Sequence, residues 1–343
     1  KWKGTFSRIP NEKKWGSLQM VSESSITPSN LQLNFNQDGS FNDLILNRLG
    51  GEITLNTKSN SFEWKANKFR LDRVEVAIPP EKKYKRIFGE ISGKGFLSVD
   101  PLFVNGELDL AYFRLLGFSL KQATIKGQFE KEKTNLIGEL IPSEDGTIQF
   151  EINNESQFSL LAKVRDVSSS WITATALEIP KLGLNYTEAL GKAEDLKGLS
   201  IGSINSTIDT KLEALIKSQN TYVEDISSIK SKSFINPYDL KGNVNADIKL
   251  NGEGFSDLKL ETKAYGKVWT NKFKPINNNE LRPFNATFIG NLDSGNGSFS
   301  FLNLNFSLLS LVAPIPSSID GYFGLKGKYS LGNRTPKVIA DLS

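Results

Sequence analysis

Residues 244–250 read Val244-Asn-Ala246-Asp-Ile248-Lys-Leu250, with apolar side chains at every second position. Side chains of an extended strand point alternately to opposite faces, so this stretch has one apolar face and one wet face. The same period of two recurs at Leu31-Gln-Leu33-Asn-Phe35, Glu52-Ile53-Thr54-Leu55, Phe69-Arg-Leu71 and Leu108-Asp-Leu110-Ala-Tyr112. It returns at Thr147-Ile148-Gln-Phe150-Glu-Ile152 and Phe299-Ser-Phe301. Turn-forming residues separate the runs, at Asn36-Gln-Asp38-Gly39, Ser143-Glu-Asp145-Gly146, Asn251-Gly252 and Asp293-Ser-Gly295-Asn-Gly297. Strands spaced by roughly 8–12 residues with such turns predict a meander of antiparallel hairpins. The expected fold class is all-β.

One segment breaks the rhythm. Between Ile204 and Ser231 the residues Ile208, Leu212, Leu215, Ile216, Tyr222, Val223, Ile226 and Ile229 fall at helical intervals, and Pro237 comes after them. This predicts one amphipathic helix inserted near 204–231, with three roles open to it: a cap on a sheet end, a lid over a groove, or a linker. The expected organisation is a β-rich segment 1–203, a helical or linker insertion 204–236, and a second β-rich segment 237–343. Spaced glycines recur in Phe88-Gly89-Glu-Ile-Ser-Gly93-Lys-Gly95, Leu240-Lys-Gly242 and Tyr322-Phe-Gly324-Leu-Lys-Gly327. Repetition without a strict period suits strands added one after another to an elongated open sheet.

The composition removes several chemistries. The 343 residues include no His and no Cys, so imidazole bases, thiol nucleophiles, disulfides and thiolate zinc sites are excluded. Gly93-Lys-Gly95-Phe-Leu-Ser98 lacks the third glycine and following helix of a dinucleotide site, and reads as strand glycines. Asp100, Asp109 and Glu139 sit at strand positions as outward polar partners. A glycan hydrolase with paired carboxylates is the enzymatic rival, but one sequence cannot place two acids face to face. No cofactor, no metal site and no catalytic residue is expected, and the chain is read as a non-enzyme.

Charge says little by itself. The formal net charge is +4, and the basic run Lys82-Lys83-Tyr84-Lys85-Arg86 after Pro79-Pro80 reads as a solvated hairpin that discourages edge-to-edge sheet association. Aromatic and basic residues do not interleave as a base-stacking platform requires, so no nucleic-acid partner is expected. No window approaches the ~18 apolar residues of a membrane span. The chain opens at Lys1 without a signal-peptide pattern and is expected to be an excerpt whose anchor lies outside it. The apolar face is left to explain, and it is rich in phenylalanine (22 Phe against 8 Tyr). Such a face is either covered by a second sheet, in a closed sandwich or solenoid of structural or adhesive use, or lines an apolar trough.

The C-terminal stretch Gly297-Ser-Phe-Ser-Phe301-Leu-Asn-Leu-Asn-Phe306-Ser-Leu-Leu-Ser-Leu311-Val-Ala-Pro314-Ile-Pro316 resembles a segment of the TamB family in its cyanobacterial and plastid form. The likeness continues through Gly321-Tyr-Phe-Gly-Leu-Lys-Gly327-Lys-Tyr329-Ser-Leu-Gly332 to Pro336. Upstream, Gly50-Gly51-Glu-Ile, Phe62-Glu-Trp64-Lys-Ala66, Ala77-Ile-Pro79-Pro80 and Gly89-Glu-Ile-Ser-Gly93-Lys-Gly95 resemble an earlier repeat. The resemblance implies an elongated, taco-like β-groove, related to the AsmA-like bridge proteins that transfer lipid. It further implies a place in the cell envelope, in the periplasm or plastid intermembrane space, with an inner-membrane anchor outside this chain. Implied partners are phospholipid acyl chains and, through another part of the protein, an outer-membrane β-barrel protein. On that reading the candidate lining residues are Leu108, Leu110, Tyr112, Ile148, Phe150, Ile152, Ile248, Leu250, Phe299 and Phe301, each on an alternating strand. Phe301-Leu302 interrupts the alternation, so a bulge is expected there.

Overall fold

The computed structural model describes residues 2–8, 14–23, 28–59, 61–72, 74–78, 83–99, 102–115, 118–130, 133–178, 239–253, 256–270, 281–292, 294–311, 321–330 and 337–343. The expected helix at 204–231 lies outside the described residues. The chain is all-β, as the alternation predicts. Its strands pair antiparallel with their neighbours in sequence, in sheets that stay open. Contacts divide it into two compact units, Lys1–Val76 with Tyr84–Ser143 and Gln149–Glu155, and Ala77–Lys83 with Glu144–Ile148 and Ser156–Ser343.

The first unit begins with β1 (Trp2–Arg8), β2 (Lys14–Ser22), β3 (Ser29–Asn36), β4 (Phe41–Arg48), β5 (Gly51–Lys58) and β6 (Ser61–Arg70). After β7 (Val74–Ile78) come β8 (Lys83–Val99), β9 (Leu102–Leu115), β10 (Phe118–Glu130) and β11 (Thr134–Pro142). Pairing runs from β1 to β6 in order, passes from β6 to β8, and continues to β11. Strand β12 (Thr147–Asn154), like β7, is divided between the units. In the second unit β13 (Phe158–Ser168) runs into helix α1 (Ser169–Glu178), and then come β14 (Leu240–Glu253), β15 (Ser256–Thr270) and β16 (Phe284–Asn291). The unit ends with β17 (Asn296–Asn305), a 3-10 turn (Phe306–Leu311), β18 (Tyr322–Ser330) and β19 (Lys337–Leu342). Strand β13 pairs with β14, so the division between units falls just ahead of Phe158.

Turn chemistry acts where the sequence places it, with one displacement. Gly39 takes φ 80°, and the Asp38 carboxylate accepts from Ser40 N (2.9 Å) and Ser40 Oγ (2.6 Å). Those bonds to Ser40 hold the Asp38 carboxyl below its ordinary pKa. At the turn expected at Asn251-Gly252, β14 instead continues to Glu253, which pairs with Ser256 after a register shift.

Bulges keep the apolar positions together. A slip of one residue would turn a strand's whole apolar set outward. At four places an extra residue takes a left-handed conformation where the register steps: Lys68 (φ 47°), Tyr112 (φ 50°), Asp166 (φ 52°) and Asn303 (φ 57°). At Asn303 the pairing steps from Phe301–Leu325 to Leu304–Phe323. The expected bulge therefore falls just after Phe301 and leaves Leu302 half exposed on the other face.

One end of the second unit is closed by α1 and the 3-10 turn, which pack on the ends of β14 and β15. Trp171, Leu240, Leu281, Phe284 and Phe323 are buried there. Thr270 N donates to Ser307 Oγ at 3.2 Å with both residues buried. The Ser170 hydroxyl donates to Glu144 Oε2 at 2.6 Å and ties the turn between β11 and β12 to the helix start.

Close strand approach supplies a test. A Cβ at Gly127 (φ 141°) would lie 1.9 Å from Asn135 O, whereas one at Gly39 meets nothing within 4 Å. Gly127→Val should cost ~3 kcal/mol or more through overlap and strain, and Gly39→Asn less than ~1 kcal/mol. The urea midpoints of the two variants, followed by circular dichroism, check the contrast.

Candidate functional site: the apolar sheet face of each unit

Residues directly opposed across a ladder share a face, so the register can be followed from strand to strand. In the first unit one row runs Gly4, Met20, Leu31, Leu46, Ile53, Ala66, Gly93, Leu108, Ile125, Gly138. The next runs Phe6, Leu18, Leu33, Leu44, Leu55, Trp64, Gly95, Gly106, Gly127, Leu136. No polar side chain interrupts either. The second unit repeats the pattern with Ala162, Ile248, Thr262, Phe288, Phe299, Gly327, Ala340 and with Leu160, Leu250, Leu260, Gly290, Gly297, Tyr329, Val338. A third row is Val164, Ala246, Ala264, Ala286, Phe301, Leu325, Leu342. Most of the large side chains in these rows are half-buried and keep part of their surface open.

Nine of the ten candidate residues occupy such positions. Leu108 and Leu110 belong to the first unit's face, where Leu110 opposes Ile91 and Ala123. Phe150 lies against Gly138, where an added Cβ would come within 2.5 Å of its ring. Ile148 and Ile152 share its side of β12 by alternation and are half-buried. Ile248, Leu250, Phe299 and Phe301 stand in the rows above. Tyr112 is the correction. As the extra residue of a bulge it leaves the row, is 76% exposed, and stands beside Glu90, Asp109 and Lys121 on the polar face. Trp64, Phe288 and Tyr329, outside the ten candidate lining residues, join the apolar face. Their strands alternate, but only register shows what they oppose.

Those aromatic side chains lie on glycine floors. A Cβ at Gly93 or Gly106 would meet the Trp64 indole at 3.0 Å, and one at Gly290 would meet the Tyr329 hydroxyl at 2.2 Å. Phe288 stacks on Tyr329 with ring centroids 5.4 Å apart and planes 18° from parallel, a contact worth about 0.5–1.5 kcal/mol beyond burial. Glycine thus lets a large ring settle close to the backbone, and the face stays apolar and level.

Charges collect on the opposite face. The row Lys65, Lys94, Glu107, Lys126 runs across β6–β10, with Lys126 Nζ 2.6 Å from Glu107 Oε1. The ammonium's hydrogen bond lowers the Glu107 pKa, and the carboxylate's raises that of Lys126. In the second unit Arg165 Nη2 lies 2.6 Å from Asp247 Oδ1, which raises the guanidinium pKa. Asp109 and Glu139 also stand here, accepting from Thr124 Oγ1 (2.8 Å) and Gln149 Nε2 (3.0 Å). Among the described residues no group of three or more acidic side chains is gathered to hold a metal. No described helix is long and apolar enough to cross a membrane.

Tyr329 is the titratable group on the second unit's apolar rows, and burial raises its pKa. A phenol raised above its unfolded value ionises first in the unfolded chain. Stability is therefore lost as pH rises through about 10. Tyr329→Phe should leave stability near pH 7 within ~0.5 kcal/mol and lessen the alkaline loss. Urea midpoints measured on either side of pH ~10 check the sign. Comparison of the chain with models of protein families, with curated proteins and with solved structures finds no match.

Proposed function

We propose that the apolar faces bind the acyl chains of phospholipids. The chain then serves as the periplasmic part, or its plastid intermembrane-space equivalent, of an envelope-spanning TamB-like protein anchored in the inner membrane. In that role it conducts lipid between inner and outer membranes. It contributes to outer-membrane biogenesis and to protein translocation and assembly, with an outer-membrane β-barrel protein as partner through another part of the molecule.

The observation that carries this reading is the continuity of the uncharged rows, strand after strand, with side chains that remain half open. Acyl tails gain ~0.8 kcal/mol for each CH₂ removed from water, wherever along the face they lie. A conduit needs many equivalent weak positions and no fixed polar constellation, which suits a surface of Leu, Ile, Val, Phe and Gly. Headgroups stay in water. The function is binding and transfer, not catalysis.

Two double variants test it, Leu108→Asp with Leu110→Asp in the first unit and Ile248→Asp with Leu250→Asp in the second. Mass spectrometry of the organic extract should find phospholipid in stoichiometric amount with the purified wild-type chain and background amounts with the combined variant, both giving a β-type circular dichroism spectrum. A folded variant that retains its lipid, or a wild-type chain that carries none, overturns the proposal and favours a structural or adhesive β-module.

A further inference from the structure

On the wet face of the second unit, Tyr265, Ile289, Leu302 and Ile339 are 46%, 56%, 50% and 75% exposed. Single exposed apolar residues are ordinary. These four share one face of five successive strands, as two pairs. Tyr265 opposes Asn285, which opposes Leu302. Ile289 opposes Ser298, then Lys328, then Ile339. With ~4.8 Å between strands, Ile289 and Ile339 stand ~14 Å apart, at the edges of a shallow hollow of about 610 Å³ that Lys259 and Lys328 also border.

Lysines fringe the patch. Lys263, Lys326 and Lys328 are exposed and form no ion pair among the described residues. Lys259 lies 3.5 Å from Asp257. The other acids here are Glu261, opposite Ile289, Asp341, opposite Lys326, and Asp247, opposite Lys263 and paired with Arg165. Between the lysine-bearing strands, β16 and β17 present only uncharged side chains on this face, such as Thr287 and Ser300.

We propose that this face docks the second unit on an anionic lipid bilayer. Isoleucine, leucine and tyrosine side chains enter the headgroup region while the lysines reach lipid phosphates, each basic group adding to attraction for a negative surface. An acidic polymer in water would reward the lysines but not the exposed aliphatic side chains, and a single tyrosine makes no base-stacking platform. The inference goes beyond the acyl-chain proposal, because it uses the opposite face of the sheet.

Flotation with phosphatidylcholine vesicles, with and without phosphatidylglycerol, tests it on the whole chain. Binding should require phosphatidylglycerol and weaken with salt. Lys326→Glu with Lys328→Glu should lower it about thirty-fold or more. Ile289→Asn with Ile339→Asn should also lower it, without changing retention on heparin, and both variants should keep the β-type spectrum. Equal binding to neutral vesicles overturns the proposal. So does a folded isoleucine variant that binds as wild type, which would assign the face to acidic polymers. The combined variant (Leu108→Asp, Leu110→Asp, Ile248→Asp, Leu250→Asp) separates this inference from the acyl-chain proposal: vesicle binding should persist when lipid loading is lost. Joint loss would assign vesicle binding to the apolar face and overturn the docking inference.

Discussion

Everything in this protein depends on keeping register across long antiparallel ladders. A strand presents one side chain in two to each face, so an apolar surface running across many strands exists only if every pairing holds the same parity. Leu31, Leu46, Ile53 and Ala66 are aligned because each opposes the next. Where the sequence alternation lapses, as at Asn67-Lys68 or Leu302-Asn303, a bulge takes up the extra residue and returns the following apolar residue to its side. The left-handed conformations at Lys68 and Asn303 are the local cost of that continuity.

Glycine and aromatic residues share a second task. Gly95, Gly106 and Gly127 oppose one another on β8, β9 and β10, and Trp64 continues the same row. Leucines throughout would raise the surface and push the strands apart, since a Cβ at Gly95 would stand 1.9 Å from Asn105 O. The glycines allow close approach, and the neighbouring ring covers the backbone they leave bare. The pair Gly290 and Gly297 under Tyr329 solves the same packing problem in the second unit.

The two faces then separate two kinds of physics. The apolar rows can hold long hydrocarbon without choosing a position. The opposite face carries Lys126–Glu107 and Arg165–Asp247, exposed pairs that contribute little to stability and keep that face in water. Basic and apolar residues mix on that wet side in both units, with Ile137 opposite Lys126 in the first and Ile289 and Ile339 near Lys328 in the second. The proposed roles respect this division, with acyl chains on one surface and a bilayer's anionic headgroups on the other.

Much of this was legible in the sequence, for a local reason. Alternation, turn residues and the break at Phe301-Leu302 are properties of neighbouring residues, so they announced strands, hairpins and a bulge. The lack of His and Cys likewise limited the chemistry before any fold was known. Tyr112 shows where such reading stops: it continues the alternation of Leu108 and Leu110, yet the bulge at that point turns it to the polar face. That depends on how β9 pairs with β8, whose residues lie well apart in the chain from those they oppose. The seating of Trp64 on Gly93 and Gly106, the stacking of Phe288 on Tyr329, and the placing of Ile289 and Ile339 in one row with Lys328 are of the same kind. Composition and period determined which side chains alternate between faces; only pairing between distant segments decided which of them share a face.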